Sequence, residues 1–114
     1  MSNPSTISRG NIVGQWVLAV TLSPASVSPN TTAEQTFTCT GVLLGDMVDI
    51  SKPTTQGGLG VVNSRVSANG VIAIAFGNLT AATITPTASE IYYVQISRPE
   101  NLNSSNNSAL SQIS

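Results

Sequence analysis

Short segments in which apolar and polar residues alternate, separated by turn-forming residues, recur along most of the chain. Such alternation is typical of half-buried β-strands, because successive side chains of a strand point to opposite faces. No segment keeps a helical period for more than two turns. The pattern predicts an all-β fold, an antiparallel β-sandwich or small barrel of the Ig-like or jelly-roll-like kind. The predicted strands are residues 15–22, 33–40, 46–52, 59–67, 71–77 and 90–98.

The first predicted strand is apolar on both faces, whereas the second alternates cleanly. The first strand places Trp16, Leu18, Val20 and Leu22 on one face, and Val17, Ala19 and Thr21 on the other. In the second, Phe37 and Cys39 are expected to point inward and threonines to line the solvent face. A strand with two apolar faces is covered on both sides or lies at an interface, and we expect one of these for residues 15–22.

A hairpin is predicted between the strands at 59–67 and 71–77. The connecting residues 67–70 contain the pair Asn69-Gly70. This pair is favoured in type I′ turns, in which both central residues need a positive φ. The two strands should therefore be antiparallel neighbours.

Charged residues make up only 8% of the chain, against about 25% in an average soluble protein. The net charge is −1. A free monomer usually stays soluble by carrying many charges. We interpret the neutral polar surface as one that packs beside another protein or other copies, and expect a homo-oligomer, either a dimer or a trimer. Because the four basic residues are scattered, neither nucleic acid nor a membrane is expected as a partner.

The residue types that carry most enzyme chemistry are missing or isolated. The chain contains no histidine, the commonest general base and metal ligand. Asp46 and Asp49 have an odd spacing on an extended segment, so they should point to opposite faces and not share an ion. Gly57 and Gly58 precede neither a lysine nor a helix, which favours a turn over a phosphate cradle. We therefore expect no catalytic residues, no cofactor and no metal.

The remaining polar and sulfur-containing residues have structural interpretations. Asp46 follows Gly45 and is expected to accept hydrogen bonds from local backbone N–H groups. Arg65 and Arg98 are each expected to pair with a carboxylate on a neighbouring strand. Cys39 is expected to be a small buried residue rather than a reactive thiol.

Three regions are predicted: an extended arm at residues 1–14, a β-sandwich domain at 15–99 and a polar tail at 100–114. The first ten residues lack the apolar stretch of a secretory signal, so synthesis in a cytoplasm is expected. Tyr93 is an alternative to Tyr92 as a residue that anchors an interface. For Trp16 and for one of the two tyrosines, a position in the core is expected at least as much as one at an interface. The predicted interface residues are Arg9, Ile12, Val13, Trp16, Tyr92, Leu102, Leu110 and Ile113.

An ordered set of short motifs between residues 33 and 99 resembles a group of small β-rich virion proteins of tailed bacteriophages. The motifs are a Gly-Asp turn, a Gly-Leu strand start, an Arg-Val-Ser segment, an Asn-Gly turn, an Asn-x-Thr strand end and a closing strand with tyrosine. They comprise Gly45, Asp46, Val48, Pro53, Gly58, Leu59, Arg65, Val66, Ser67, Asn69, Gly70, Asn78, Thr80 and Tyr93. The resemblance implies a particle component without catalytic residues.

The resemblance leaves the place in the particle open. The first expectation is a capsid decoration, or cement, protein on the outside of the head, which binds the major capsid protein and stabilises the shell. Its arm and tail would lie along neighbouring subunits. The alternative is a fibre, collar or tail-tip module that binds a host glycan or another tail protein, with the threonine faces and Tyr92 or Tyr93 at a sugar site. A non-viral adhesion domain is a third, weaker possibility.

Overall fold

A computed structural model describes residues 12–100, and its regular structure consists of six β-strands. No helix occurs among these residues, so none of them forms a helix that could cross a membrane. The predicted all-β fold is confirmed. The strands are β1 (Ile12–Leu22), β2 (Thr31–Thr38), β3 (Met47–Ser51), β4 (Leu59–Ala68), β5 (Val71–Asn78) and β6 (Glu90–Pro99).

The strands form two antiparallel sheets of three strands each, packed as a small β-sandwich. One sheet has the order β1-β6-β3 and the other has the order β2-β5-β4. Only β4 and β5 are neighbours both in sequence and in a sheet, and the other connections cross between the sheets. The sheets approach each other at β3 and β4, where the Ser64 hydroxyl donates a hydrogen bond to the Val48 carbonyl at 3.2 Å.

The core lies between the sheets and is built from alternate residues of the strands. The central strands contribute most, with Ile72, Ile74 and Phe76 from β5 facing Val94 and Ile96 from β6. Each such side chain contributes about 1.5–3 kcal/mol by leaving water. The buried cluster comprises Leu22, Val27, Cys39, Val42, Ile50, Val66, Ile72, Ile74, Phe76, Tyr92, Val94 and Ile96.

The strand boundaries differ most from the predictions at β1 and β2. β1 begins at Ile12, three residues before the predicted start, because Ile12 pairs with Pro99 of β6. Residues 12–14 therefore belong to the sheet and not to an arm. β2 begins two residues early, because Thr31 pairs with Asn78 at the end of β5. The extent of the partner strand determines where β1 and β2 begin, and the alternation of residues within one segment does not show how far its partner extends.

The predicted hairpin is present between β4 and β5, but its turn type is not the predicted one. Gly70 has a φ of 77°, and the only other residues with positive φ besides glycines are Asn30 and Ser89 within residues 12–100. Asn69 therefore lacks the positive φ that a type I′ turn requires. The pairing shifts by one residue between Val66 and Ala68, so the strand is bulged before the turn. A glycine with positive φ beside a bulge replaces the tighter I′ turn.

Asn78 holds the long connection after β5 against the rest of the sandwich. Its side-chain amide donates to the carbonyls of Val27 and Ala82 at 3.0 and 2.8 Å. Its carbonyl oxygen accepts from the Thr80 backbone at 2.9 Å and the Thr80 hydroxyl at 2.7 Å. Val27 and Ile84 exchange backbone hydrogen bonds beside this site. The buried side-chain amide of Asn78 thus holds together the loop between β1 and β2 and the loop between β5 and β6.

Candidate interaction surface

The outward side of the sheet β1-β6-β3 exposes several large apolar side chains among polar ones. Outward residues face each other in rows across the strands, and one row contains Ala19, Tyr93 and Ser51. The exposed fractions are 65% for Val17, 51% for Tyr93, 54% for Met47 and 48% for Ile91. We refer to Val17, Ala19, Met47, Ile91 and Tyr93 together as the apolar face.

Polar residues accompany the apolar face. Among the outward strand positions of this sheet, Asp49 is the single charged residue. Asp49 and Gln95 share a row with Val17. Gln15 donates a hydrogen bond to the Ser97 hydroxyl at 3.1 Å, in the row that also contains Met47. Large apolar side chains that are exposed next to each other, with polar residues around them, are typical of interaction sites.

The outward side of the other sheet is mostly polar and has Val62 as its exposed large apolar side chain. Arg65 donates two hydrogen bonds to Glu34, both at 2.8 Å. The two residues lie on either side of the central strand β5, whose outward residue Ala73 is completely buried. The pKa of Glu34 is lowered, chiefly by the hydrogen bonds from Arg65. We refer to Thr32, Glu34, Thr36, Thr38 and Arg65 as the threonine face.

At one end of the sandwich, Arg98 connects an aromatic ring to a buried carboxylate. Its guanidinium lies 4.7 Å from the centre of the Trp16 ring. It also donates two hydrogen bonds to Asp46 at 2.8 Å each, and one to the Gly41 carbonyl at 2.9 Å. The Trp16 ring covers Gly14, where an added Cβ would lie only 2.8 Å from two ring carbons. Trp16 therefore has a fixed orientation although it is 44% exposed.

Asp46 has the turn role predicted for it and a second role in the ion pair. Its carboxylate accepts the Leu43 backbone N–H at 2.9 Å. The pKa of Asp46 is lowered, mainly by the hydrogen bonds from Arg98 and also by the Leu43 N–H. Exposed Leu43 and Leu44 lie beside this pair and line a shallow cavity of about 360 Å³ together with Asp46, Arg98 and Pro99. This end thus adds apolar surface next to Trp16.

The predicted positions of Asp49 and Cys39 are confirmed, whereas Arg65 pairs with Glu34 across the central strand β5 and not with a carboxylate on a neighbouring strand. Asp46 is buried while Asp49 is exposed, so the two carboxylates do not converge. The buried thiol of Cys39 has its pKa raised by burial, which makes it less reactive. No group of three or more His, Cys, Asp or Glu residues is placed to hold a metal ion in the described part of the chain.

Lys52, Thr54 and Glu90 form a compact ionic cluster where β3 ends and β6 begins. The Lys52 ammonium lies 3.0 Å from the Glu90 carboxylate and donates to the Thr54 carbonyl at 2.9 Å. The Thr54 hydroxyl donates to the other carboxylate oxygen. These contacts lower the pKa of Glu90, with the Thr54 hydrogen bond as the largest cause. All three basic side chains of residues 12–100 are therefore engaged in ion pairs.

The predicted interface residues fall into three groups. Val13 and Trp16 are exposed on β1, and Ile12 is half-buried at its start. Tyr92 was predicted at an interface, but it is completely buried in the core, and Tyr93 is the exposed tyrosine. The alternation already contained this signal, since Tyr92 shares its parity with Val94 and Ile96. Arg9, Leu102, Leu110 and Ile113 lie outside the described residues.

None of the five residues of the apolar face is among the predicted interface residues. Val17 and Ala19 lie on the strand that was expected to be covered or at an interface, and Tyr93 was the alternative to Tyr92, whereas nothing pointed to Met47 and Ile91. Each is apolar at an outward position of a strand whose other outward residues are mostly polar. That Met47 and Ile91 share one outward side with Val17 depends on the strand order β1-β6-β3, which single strands do not reveal. Compared with known proteins, the chain matches no family model, no curated protein and no solved structure.

Proposed function

We propose that this chain is a non-enzymatic structural protein of a tailed-phage virion that decorates the outside of the assembled head. The observation that carries the proposal is the apolar face, which leaves Val17 and Tyr93 more than half exposed in a chain with 8% charged residues. The sequence resemblance over residues 33–99 supports the same assignment. The proposed partner is the major capsid protein of the shell.

In this proposal the apolar face docks on the shell and the Trp16 end extends the contact. Tyr93 offers a large ring with a polar hydroxyl, a combination that is frequent at interfaces. A protein that binds only the expanded shell stabilises that shell by mass action. At a free concentration one hundred times Kd, the stabilisation is about 2.7 kcal/mol per site. Many weak sites distributed over a shell therefore strengthen it without any catalytic step.

The proposal is tested by co-sedimentation of the full chain with shells of the phage that encodes it, before and after expansion. We expect binding to expanded shells only, at a copy number comparable to that of the major capsid protein. Val17→Asp is expected to weaken binding by about tenfold, because it places a charge in a desolvated contact. Thr36→Asp on the threonine face is the matched control and should bind like the unmodified chain.

Two outcomes would contradict decoration. If Val17→Asp and Thr36→Asp bound the shells equally well, the apolar face would not be part of the contact. A copy number of only a few chains per purified particle would place the protein at a vertex, collar or tail, and the fibre or tail-tip alternative would replace the proposal.

A further inference from the structure

Each of the two sheets ends in two edge strands. These are β1 and β3 in one sheet, and β2 and β4 in the other. An edge strand presents unpaired N–H and C=O groups to which another strand can bind. Proteins usually protect such edges by short length, charged residues, bulges or a covering element.

Three of the four edges carry such protection. β3 is only five residues long, and the Ser64 hydroxyl occupies the Val48 carbonyl. β4 has two register shifts and carries the charged Arg65. β2 carries Glu34 at its centre.

β1 differs from the other three edges in length and composition. It spans eleven residues and contains no charged residue and no proline. Its only irregularity lies at its beginning, between Ile12 and Gly14. At the strand rise of about 3.3 Å per residue, β1 extends for about 36 Å. Over residues 13–22 the side of β1 away from β6 has no partner strand within residues 12–100.

We infer that β1 binds β1 of a second copy, antiparallel and about a two-fold axis. Overlap of residues 13–21 of the two strands places Val17 on the axis, with Trp16 opposite Leu18 and Gln15 opposite Ala19. These pairs keep inward side chains opposite inward side chains, as an antiparallel pair requires. The absence of charge on β1 is compatible with self-pairing, because no like charges meet across the axis.

The dimer has one continuous sheet of six strands, in the order β3-β6-β1-β1-β6-β3. Both apolar faces lie on the same side of this sheet, because the pairing preserves the parity of outward residues. A strand edge is narrow compared with the roughly 1,600 Å² of a typical stable interface, so we expect a dissociation constant in the micromolar range. This self-association goes beyond decoration and does not depend on it.

Sedimentation velocity of the full chain without shells tests the inference, at concentrations from about 1 to 300 μM. The unmodified chain should change from monomer to dimer across this range. Val17→Lys and Val17→Glu should each weaken the dimer by about tenfold or more, because each places two like charges near the axis. An equimolar mixture of the two variants should form dimers again, because Lys then opposes Glu. Thr36→Lys is the control and should dimerise like the unmodified chain.

The mixture of Val17→Lys and Val17→Glu distinguishes specific pairing from a loss of folding, because two misfolded variants would not form dimers when mixed. A chain that is monomeric at the highest concentration, or that forms a trimer, would overturn the inference. It would equally be overturned if the two charged variants failed to associate with each other. Because no shell is present, a negative result here leaves the decoration proposal to its own test.

Discussion

The outward sides of the two sheets both face away from the core, but they present different side chains to solvent. On the threonine face, the Glu34–Arg65 pair spans the central strand, and the small residue Ala73 beneath it is fully buried. On the apolar face, the central strand β6 instead presents Ile91 and Tyr93 to solvent. The two faces belong to sheets of equal strand number and the same antiparallel pairing.

The difference shows that a sandwich needs only one face of each sheet for its core. The outward face is then available for a second purpose at little cost in stability. A polar outward face completes the surface of an isolated molecule, whereas an apolar one leaves area that gains free energy only when a partner covers it. The contrast between the faces therefore locates the contact more sharply than the average composition does.

The largest effect on the free energy of unfolding is expected at the end of β5, where the side chain of Asn78 forms hydrogen bonds with the neighbouring loops. Asn78→Ala removes all four hydrogen bonds of a completely buried amide, including the acceptor of the Thr80 backbone N–H, and should lower the free energy of unfolding by about 3 kcal/mol. Asn63→Ala, at an exposed position of β4, should change it by less than about 0.5 kcal/mol. Urea denaturation of the two variants measures the difference, and equal losses would contradict it.

The next effect is expected at the Trp16 end of the apolar sheet. Asp46→Asn should cost about 2 kcal/mol at neutral pH, because a hydrogen-bonded charge pair is lost. The pKa of Asp46 is lowered by folding, so its stabilisation is present above its unfolded pKa of about 4 and is lost as the pH falls through the folded value. The difference between the variant and the unmodified chain should therefore shrink in acid. Asp49→Asn, at an exposed position, is the control and should cost less than about 0.5 kcal/mol at neutral pH.

A smaller effect is expected at the buried tyrosine. The Tyr92 hydroxyl has no hydrogen-bond partner among the described residues, and burial with the charge of Glu90 raises its pKa to about 12. Folding thus favours the neutral phenol, and this stabilisation is lost as the pH rises from about 10 to 12. Tyr92→Phe should lie within about 1 kcal/mol of the unmodified chain at neutral pH and should remove part of the alkaline loss. Thermal unfolding between neutral pH and pH 12 measures both.

The smallest effect on stability, and the sharpest test of the contrast, is expected from exchanging one residue between the faces. Val17→Thr and Thr36→Val should each change the free energy of unfolding by less than about 0.5 kcal/mol. Only Val17→Thr should weaken dimerisation and binding to shells. If Thr36→Val weakened them equally, the two faces would not differ in function.

Alternation predicted the existence of all six strands, the inward position of Phe37 in β2 and the burial of Cys39, which lies just after that strand. It could not predict the strand order, and so could not place Tyr93 beside Ala19. The prediction left Tyr92 and Tyr93 undecided, although the alternation within β6 separates them. Tyr92 shares its parity with Val94 and Ile96, and the opposite face of β6 is polar at Gln95. The start of β1 and the bulge before Gly70 depend on partner strands that lie far away in sequence.

The pairing of Ile12 with Pro99 has a consequence for protein engineering. Neighbouring strands lie about 4.8 Å apart, so a linker of a few residues would close the domain of residues 12–99 into a ring. Closing ends that are already adjacent strains the folded state little, while it reduces the conformational entropy of the unfolded chain. A cyclised domain should therefore melt at a higher temperature than the linear one.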